Sequence, residues 1–301
     1  MPTLLEEKFR TNKFERKKRA FFKRFDWDFM PFSQKEPLPD PKLLVPHQIE
    51  EVRKSLDMVQ EGDLVLFVVS EIGMGKTTLC KFLAETLPQE EDHDSVSVFL
   101  HGPSIEAPEQ MARLILERLE LQAREGDLAS EFEQLRRWHE NYPDLTLILI
   151  VDEFPDVDKS ALELVREIAD LEGIVWVLNG QEDQLIELVE DNAPALLDRR
   201  RYTLRLEPMS LEKVKELLTY RMAWVEEGDY NNRSIEPFTE EAIKEIHERA
   251  EGIPREALKL AGDAVYNAIK ADAVIITKEL VHEREEEKKS FWSFLPFFKS
   301  S

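Results

Sequence analysis

Short stretches rich in apolar and β-branched residues recur along the first two thirds of the chain, at 64–69, 95–100, 145–151, 174–178 and 202–206. The first is apolar at every position, which favours a strand buried on both faces, as in a parallel sheet. Between these stretches, apolar residues at helical spacing predict amphipathic helices at 77–87, 109–121, 128–139, 161–171 and 184–189. Strands alternating with helices predict an α/β fold, a parallel five-stranded sheet flanked by helices.

The pattern changes after Pro208, where the stretches 211–225, 239–250, 255–271 and 277–289 all indicate helices. A small all-helical lid domain is therefore predicted to follow the sheet. Upstream, a basic segment leads into an aromatic run and a Pro-rich linker, and a helix is predicted at 47–59. We divide the chain into an N-terminal arm and linker (1–40), an α/β domain (41–207), the helical lid (208–280) and a charged, then apolar tail (281–301).

Charge is distributed unevenly along the chain. The formal net charge is −22, yet residues 1–24 hold nine basic and three acidic side chains, a net +6, which leaves −28 for the remainder. An acidic body repels nucleic acid, because DNA binding depends largely on Lys and Arg. The asymmetry indicates a basic arm on an acidic body, with DNA contact through residues 8–24 as one hypothesis. A solvated helix whose phenylalanines pack on the body is the other.

Composition argues against a disulfide, a membrane span, a signal peptide and a zinc site. The single cysteine, Cys80, excludes an intrachain disulfide and favours a reducing compartment. No apolar run approaches the roughly 20 residues that span a bilayer, and the N-terminus lacks the apolar core of a signal peptide. The six histidines show no metal-binding spacing. We expect a cytoplasmic protein with no transmembrane segment and no zinc site.

A loop of small residues follows the first predicted strand and opens a helix. It consists of Ser70, Glu71, Ile72, Gly73, Met74, Gly75, Lys76, Thr77 and Thr78. Glycines let backbone N–H groups curl around phosphates, and the positive end of the next helix adds to their attraction. Lys76 supplies a cation for the outer phosphates, and Thr77 Oγ can hold Mg²⁺. The pattern departs from a P-loop only at Ser70, where glycine is usual; the alternative is a chance Gly-Lys-Thr in an ordinary turn.

Two adjacent acids, Asp152 and Glu153, end the third predicted strand. The carboxyl edge of a parallel sheet is where α/β folds bind ligands. Asp152 is therefore predicted to hold Mg²⁺ through water, and Glu153 to polarise an attacking water. The alternative is a pair of solvated acids, which is less favoured beside the loop described above.

With both motifs placed, the chain resembles the AAA+ P-loop ATPases over roughly residues 29–269. The nearest branches are the archaeal origin-recognition/initiator ATPases and the ExeA-type and transposition-helper ATPases. Segments 30–33 and 44–50 resemble the segment by which the chain of these proteins enters the ATPase domain and runs past the adenine. The resemblance implies that His47 lies beside the adenine of ATP or ADP. The loop and the acids then correspond to the Walker A and Walker B motifs.

The resemblance also implies three further roles. Asn179 matches the polar "sensor 1" residue that orients the attacking water. Arg199, Arg200 and Arg201 precede the last strand, where the family places its arginine finger, and we favour Arg200. Arg255, in Gly-Ile-Pro-Arg-Glu-Ala-Leu at 252–258, matches "sensor 2" of the lid. From the residues alone, Asn179 could cap a turn, the arginines could be a solvated cluster, and Arg255 could pair with a neighbouring glutamate.

The resemblance implies an oligomeric ATP hydrolase that uses Mg²⁺ and shares its ATP sites between subunits. A DNA transaction such as replication, transposition or plasmid maintenance is the first expectation; a membrane- or partner-associated ExeA-type ATPase without direct DNA binding is the alternative. About 30 residues follow Ile269, too few for the initiators' winged-helix domain. We therefore expect a shorter helper ATPase.

The tail is apolar and aromatic at 291–298. Large apolar groups are costly to leave in water, so the tail is expected to be covered. Its spacing resembles part of the peptide that docks on sliding clamps, which suggests a clamp or another protein as partner. Folding back on the body and contact with a membrane are the alternatives.

Overall fold

The computed structural model describes residues 4–32, 44–45, 48–60, 64–87, 95–121, 127–226 and 233–281. The chain divides into two compact units. One, the α/β unit, is Gln48–Glu207; the other, the helical unit, combines Met1–His47 with Pro208–Ser301. The α/β unit is therefore inserted, in chain order, between two parts of the helical unit.

Five parallel strands form the sheet of the α/β unit. They are β1 (Leu64–Val69), β2 (Ser95–His101), β3 (Thr146–Asp152), β4 (Ile174–Gly180) and β5 (Arg200–Arg205). Their order is β2-β3-β4-β1-β5. Every residue of β1 and β4 is buried, as continuous apolar strands in the middle of a covered sheet require. The fold class predicted from the sequence is confirmed.

Helices connect the strands and cover the sheet. Numbered along the whole chain, they are α2 (Ile49–Gln60), α3 (Lys76–Thr86), α4 (Pro108–Arg118), α5 (Leu128–Asn141), α6 (Ala161–Ala169), α7 (Glu182–Asn192) and α8 (Ala195–Arg199). Their starts follow local chemistry: Pro108 opens α4, and the Asp127 side chain accepts from Ser130 N at the start of α5. The sequence did not predict α8, because five residues show no helical period.

The helical unit contains α1 (Leu4–Arg24), α9 (Leu211–Val225), α10 (Glu240–Ala250) and α11 (Pro254–Ala271). Ser210 and Thr239 cap α9 and α10 by accepting from backbone N–H groups. Helical structure resumes at residue 278, and the remainder of the helix predicted at 277–289 lies outside the described residues after 281. The C-terminal region is thus helical, as predicted.

The N-terminal segment contributes to the core of this helical unit. Phe21 and Phe22 on α1, and Trp27 and Phe32 after it, are all less than 9% exposed. Trp27 Nε1 donates to Glu226 Oε1 at 2.9 Å, and burial raises the pKa of that carboxyl group. The sequence left two hypotheses for this segment, a DNA-contacting arm and a helix whose phenylalanines pack on the body. The packing of the second hypothesis is observed, because these aromatic residues share the apolar core of α9–α11. The division at residue 40 stays a prediction.

Among the residues described, no helix combines the length and the apolar character needed to cross a membrane.

Candidate nucleotide-binding site

The loop between β1 and α3 begins at Ser70 and turns at two glycines. Gly73 and Gly75 have φ angles of 89° and 95°, in the left-handed region that glycine favours. A Cβ at Gly75 would meet nothing within 4 Å, so its backbone angle, not crowding, requires glycine. Left-handed backbone in this loop is confined to those two residues. Serine at position 70 therefore introduces no backbone strain.

Lys76, the first residue of α3, folds its side chain back across the loop. Its Nζ atom donates to Ser70 O at 2.7 Å, Glu71 O at 3.0 Å and Ser70 Oγ at 3.2 Å. The ammonium group thus lies inside the curve of the loop, beside the N-terminus of α3. A cation and the N–H groups of a helix start in one place form a favourable setting for phosphate.

The other predicted loop residues follow the same path. Ile72 is 62% exposed and Met74 is buried, so these two side chains point to opposite environments. Thr77 and Thr78 lie in the first turn of α3. The predicted adenine neighbour, His47, lies outside the described residues, and its role stays a prediction.

Thr77 and Asp152 meet at the carboxyl edge of the sheet. Thr77 Oγ1 donates to Asp152 Oδ1 at 3.0 Å, although 75 residues separate them in the chain. Asp152 is only 4% exposed at the end of β3. A hydroxyl and a carboxylate oxygen held together next to a phosphate-type loop are the ligands that Mg²⁺ prefers. The donor set at this edge therefore fits a magnesium ion and a nucleotide.

Asn179 connects the two acids. Asn179 lies on β4 and is 1% exposed. Its Nδ2 atom donates to Asp152 Oδ1 at 2.5 Å, and its Oδ1 atom accepts from Glu153 N at 3.2 Å. Its Nδ2 atom also lies 3.2 Å from Cys80 Sγ. Burial raises the pKa of Cys80 to about 12, so the thiol stays neutral and acts as part of the packing.

Glu153 is exposed and has a left-handed backbone, with φ of 52°. This conformation costs a non-glycine residue about 1 kcal/mol or more, so its presence indicates a constraint from the surroundings. Buried Phe154 follows in a 3₁₀ turn, and Asn179 holds the Glu153 N–H group. Glu153, directly after Asp152 in the chain, is therefore carried on a turn fixed from both sides.

The three arginines predicted to precede the last strand lie where α8 ends and β5 begins, since Arg199 ends α8 and Arg200 and Arg201 are the first residues of β5. This is the end of the sheet opposite to the loop. Arg200 pairs in register with Val65 at the start of β1, whereas the loop follows the end of β1, about 16 Å further along the strand. Arg199 contacts Asp170 and Ala169 O, and Arg200 lies over the Phe67 ring at 5.4 Å. The side chain of Arg201 lies outside the described part of the structure. The structure does not bring Arg200 to the loop of its own chain.

Arg255 lies in the helical unit, exposed in the first turn of α11. The turn before it depends on Gly252, whose φ is 74° and whose Cβ would lie 2.5 Å from Met209 O. The Gly-Ile-Pro-Arg sequence therefore forms a helix start, as the motif requires. The assignment of Arg255 to the γ-phosphate stays a prediction.

Sequence reasoning missed three residues that shape this edge. A Cβ at Gly102, after β2, would lie 2.3 Å from Glu153 O, and one at Gly180 would lie 2.6 Å from Pro155. Gln48 donates to Arg205 O at 2.7 Å and accepts from Glu207 N at 2.8 Å, so it fastens the start of the unit to its end. The available signal for the first two was a glycine at the end of a strand, as at Gly180, or directly after one, as at Gly102. Gln48 lies in the segment 44–50, but its residue type gave no signal of these bonds.

Comparison with known proteins agrees with this geometry. Residues 59–189 match the family model described as an AAA domain. The fold resembles the ORC2 protein of Aeropyrum pernix, with 14% identity, a TM-score of 0.63, and coverage of 89% of this chain and 75% of that one. It also resembles Cdc6p from Pyrobaculum aerophilum, with 17% identity, a TM-score of 0.61, and coverage of 88% and 74%. Drosophila ORC bound to DNA has 18% identity, a TM-score of 0.58, and coverage of 85% and 70%.

A curated relative is an uncharacterized HTH-type transcriptional regulator of Methanocaldococcus jannaschii. It is 27% identical over 146 residues, which are 47% of this chain and 35% of the relative. The match thus spans about a third of that relative's length. Residues 59–189 thus match an AAA domain, and the fold and the site geometry resemble those of the AAA+ P-loop ATPases. Among these proteins, the fold resembles that of the origin-recognition proteins.

Proposed function

We propose that this protein binds ATP with Mg²⁺ in the loop 70–78 and hydrolyses it as an oligomeric switch. The observation that carries the proposal is the meeting of Thr77, Asp152 and Asn179, within 3.0 Å of one another along their hydrogen bonds, beside the Lys76 loop. Lys76 and the start of α3 would hold the phosphates of ATP or ADP. Thr77 and Asp152 would hold Mg²⁺, which offsets phosphate charge when bound.

Glu153 is proposed as the residue that polarises the attacking water. Glu153 is exposed and directly follows Asp152 in the chain, and Asn179 fixes the main chain that carries it. Arg200 would complete the site of a neighbouring subunit, since it lies at the far edge of its own sheet. Arg255 and His47 keep the sensor 2 and adenine-contact roles that the resemblance implies.

The biological setting we propose is a DNA transaction such as replication, transposition or plasmid maintenance. Support comes from the fold shared with origin-recognition proteins and from the basic segment 8–24. A partner- or membrane-associated ATPase without direct DNA contact is the second candidate, favoured by the net charge of −22. Docking of the tail 291–298, outside the described residues, on a sliding clamp or other protein remains part of the proposal.

Calorimetric titration with Mg²⁺ and ATP tests the nucleotide site. Lys76→Ala should weaken ATP binding roughly tenfold to 150-fold, because a charged hydrogen-bond donor contributes about 1.5–3 kcal/mol. Lys159→Ala removes the same charge from an exposed site in the same unit and should bind like wild type. Glu153→Gln should bind ATP and lose turnover. Equal ATP affinity in Lys76→Ala and Lys159→Ala would refute the site.

A further inference from the structure

The outward face of α1 carries a row of four cations. Lys13, Arg16, Arg19 and Lys23 recur at spacings of three, three and four residues, so they form one ridge along the helix. All four side chains are exposed. The ridge is about 15 Å long, from the 1.5 Å rise per helical residue. We name these four residues the basic ridge.

The opposite side of α1 fixes the direction in which the ridge points. Phe21 and Phe22 are 7% and 8% exposed within the core of the helical unit, and the Phe14 ring lies 4.8 Å from that of Tyr266. Lys17, at the border of the two faces, donates to Lys270 O at 3.1 Å and pairs with Asp272 at 3.0 Å. Helix α1 is therefore fastened to α11 and to the turn after it, and the ridge stays on the surface.

The ridge cations lack carboxylate partners over the part of the chain that the structure describes. This contrasts with lysines elsewhere in the helical unit: Lys213 pairs with Glu216 at 2.7 Å, and Lys259 pairs with Glu256 at 2.8 Å. The chain has 62 acidic residues, so such partners are abundant. Like charges three and four residues apart on a helix repel one another. Cations in a row of this kind on an acidic protein therefore suit the binding of a separate, polyanionic molecule.

We propose that the basic ridge binds the phosphate backbone of duplex DNA without reading its sequence. The proposal rests on the DNA role in the proposed function and names the surface that performs it. Single-stranded DNA is bound largely by stacking bases on exposed aromatic rings, and the described aromatic residues of α1 face the core. Insertion into a membrane would need the same rings outside. The surface that α1 leaves exposed therefore offers positive charge and no described aromatic ring, and a row of positive charges is complementary to the regularly spaced phosphates of a duplex.

Fluorescence anisotropy of a labelled duplex, across a KCl series and with two unrelated sequences, tests the proposal. Four phosphate contacts predict that log affinity falls with log salt at a slope of about −3.6. The combined variant Arg16→Gln, Arg19→Gln, Lys23→Gln should flatten the slope by about 2.7 for both sequences. The matched control, Lys215→Gln, Lys244→Gln, Lys259→Gln, removes equal charge from exposed or partly exposed sites of the same unit and should keep the wild-type slope.

The outcomes separate the two proposals. Equal slopes in the ridge variant and the control would refute the ridge, as would tighter binding to single strands than to duplex. Ridge-dependent capture by phosphatidylserine vesicles, with no duplex binding, would overturn it in favour of a membrane surface. ATP hydrolysis by wild type is measured in the same preparation. Its absence would refute the proposed ATPase while leaving the ridge result readable.

Discussion

Asn179 Nδ2 donates a 2.5 Å hydrogen bond to the carboxylate of Asp152, the acid that Thr77 also contacts. The same side chain accepts from the N–H of Glu153, so one buried amide sets the position of both acids. Through this relationship, β4 determines the geometry of the residues that end β3.

Replacing Asn179 should disturb turnover more than nucleotide binding. Asn179→Ala leaves the Glu153 N–H group without its acceptor and Asp152 without one donor, at a cost of about 1–3 kcal/mol in stability. We expect a large loss of kcat with a smaller change in ATP affinity, measured by steady-state hydrolysis and calorimetric titration. Gln181→Ala, two residues further on and outside this network, serves as control. A kcat equal to that of the control would contradict the positioning role.

The Arg200 prediction concerns mixed subunits. Arg200→Ala and Glu153→Gln should each be nearly inactive, because each lacks one part of a site shared between chains. Mixed one to one, they should recover roughly a quarter of wild-type hydrolysis, since random head-to-tail contacts pair an intact Glu153 with an intact Arg200 that often. Activity should also rise with protein concentration. No recovery in the mixture, with oligomers present by sedimentation, would exclude a finger acting in trans.

Replacing Gly102 with alanine should destabilise the protein, whereas the same replacement at Gly262 should not. In Gly102→Ala the new Cβ would lie 2.3 Å from Glu153 O, so the main chain that carries the acids must move. We expect lower stability and reduced hydrolysis. In Gly262→Ala the nearest atom is 3.7 Å away, and alanine in the interior of α11 should add about 0.5–1 kcal/mol. Thermal melting and hydrolysis of both variants provide the check; similar effects in the two would contradict it.

The N-terminal aromatic residues should behave as core. Phe21→Ala removes a ring that is 7% exposed and should cost about 3–5 kcal/mol, seen as earlier unfolding of the helical unit in calorimetry. Phe29→Ala removes a ring that is 43% exposed and should cost much less. If instead both variants melt like wild type, the segment is a detached arm and its packing plays no part in stability.

Much of the fold could be predicted because the local signals were strong. The run 64–69 became β1 with the same bounds, and the glycines before Lys76 gave the loop its form. The Thr77–Asp152 contact followed from two motifs at the ends of parallel strands. The approach of Gly102 to Glu153 could not be predicted, since it depends on β2 lying beside β3, and sequence pattern does not reveal strand order.

The helical unit shows a second limit of sequence reasoning. The aromatic residues of α1 have helical spacing, but spacing alone does not say whether they pack on the body, a membrane or a base. The side chain of Gln48 bonds to backbone atoms of Arg205 and Glu207, at the other end of the α/β unit. Because backbone atoms are the same in every residue, the residue types there could not predict these bonds. Both relationships are between segments far apart in the chain.

The order in which the chain is synthesised gives this arrangement a further consequence. Helix α1 leaves the ribosome before its packing partners, since roughly 190 residues separate it from α9; at 5–20 residues per second this takes about 10 to 40 seconds. During that interval Phe21, Phe22 and Trp27 have no core to enter. The α/β unit can fold first, whereas the helical unit must wait until α9–α11 have been synthesised. A nascent chain halted before residue 211 should therefore bind hydrophobic-surface chaperones through its first 32 residues.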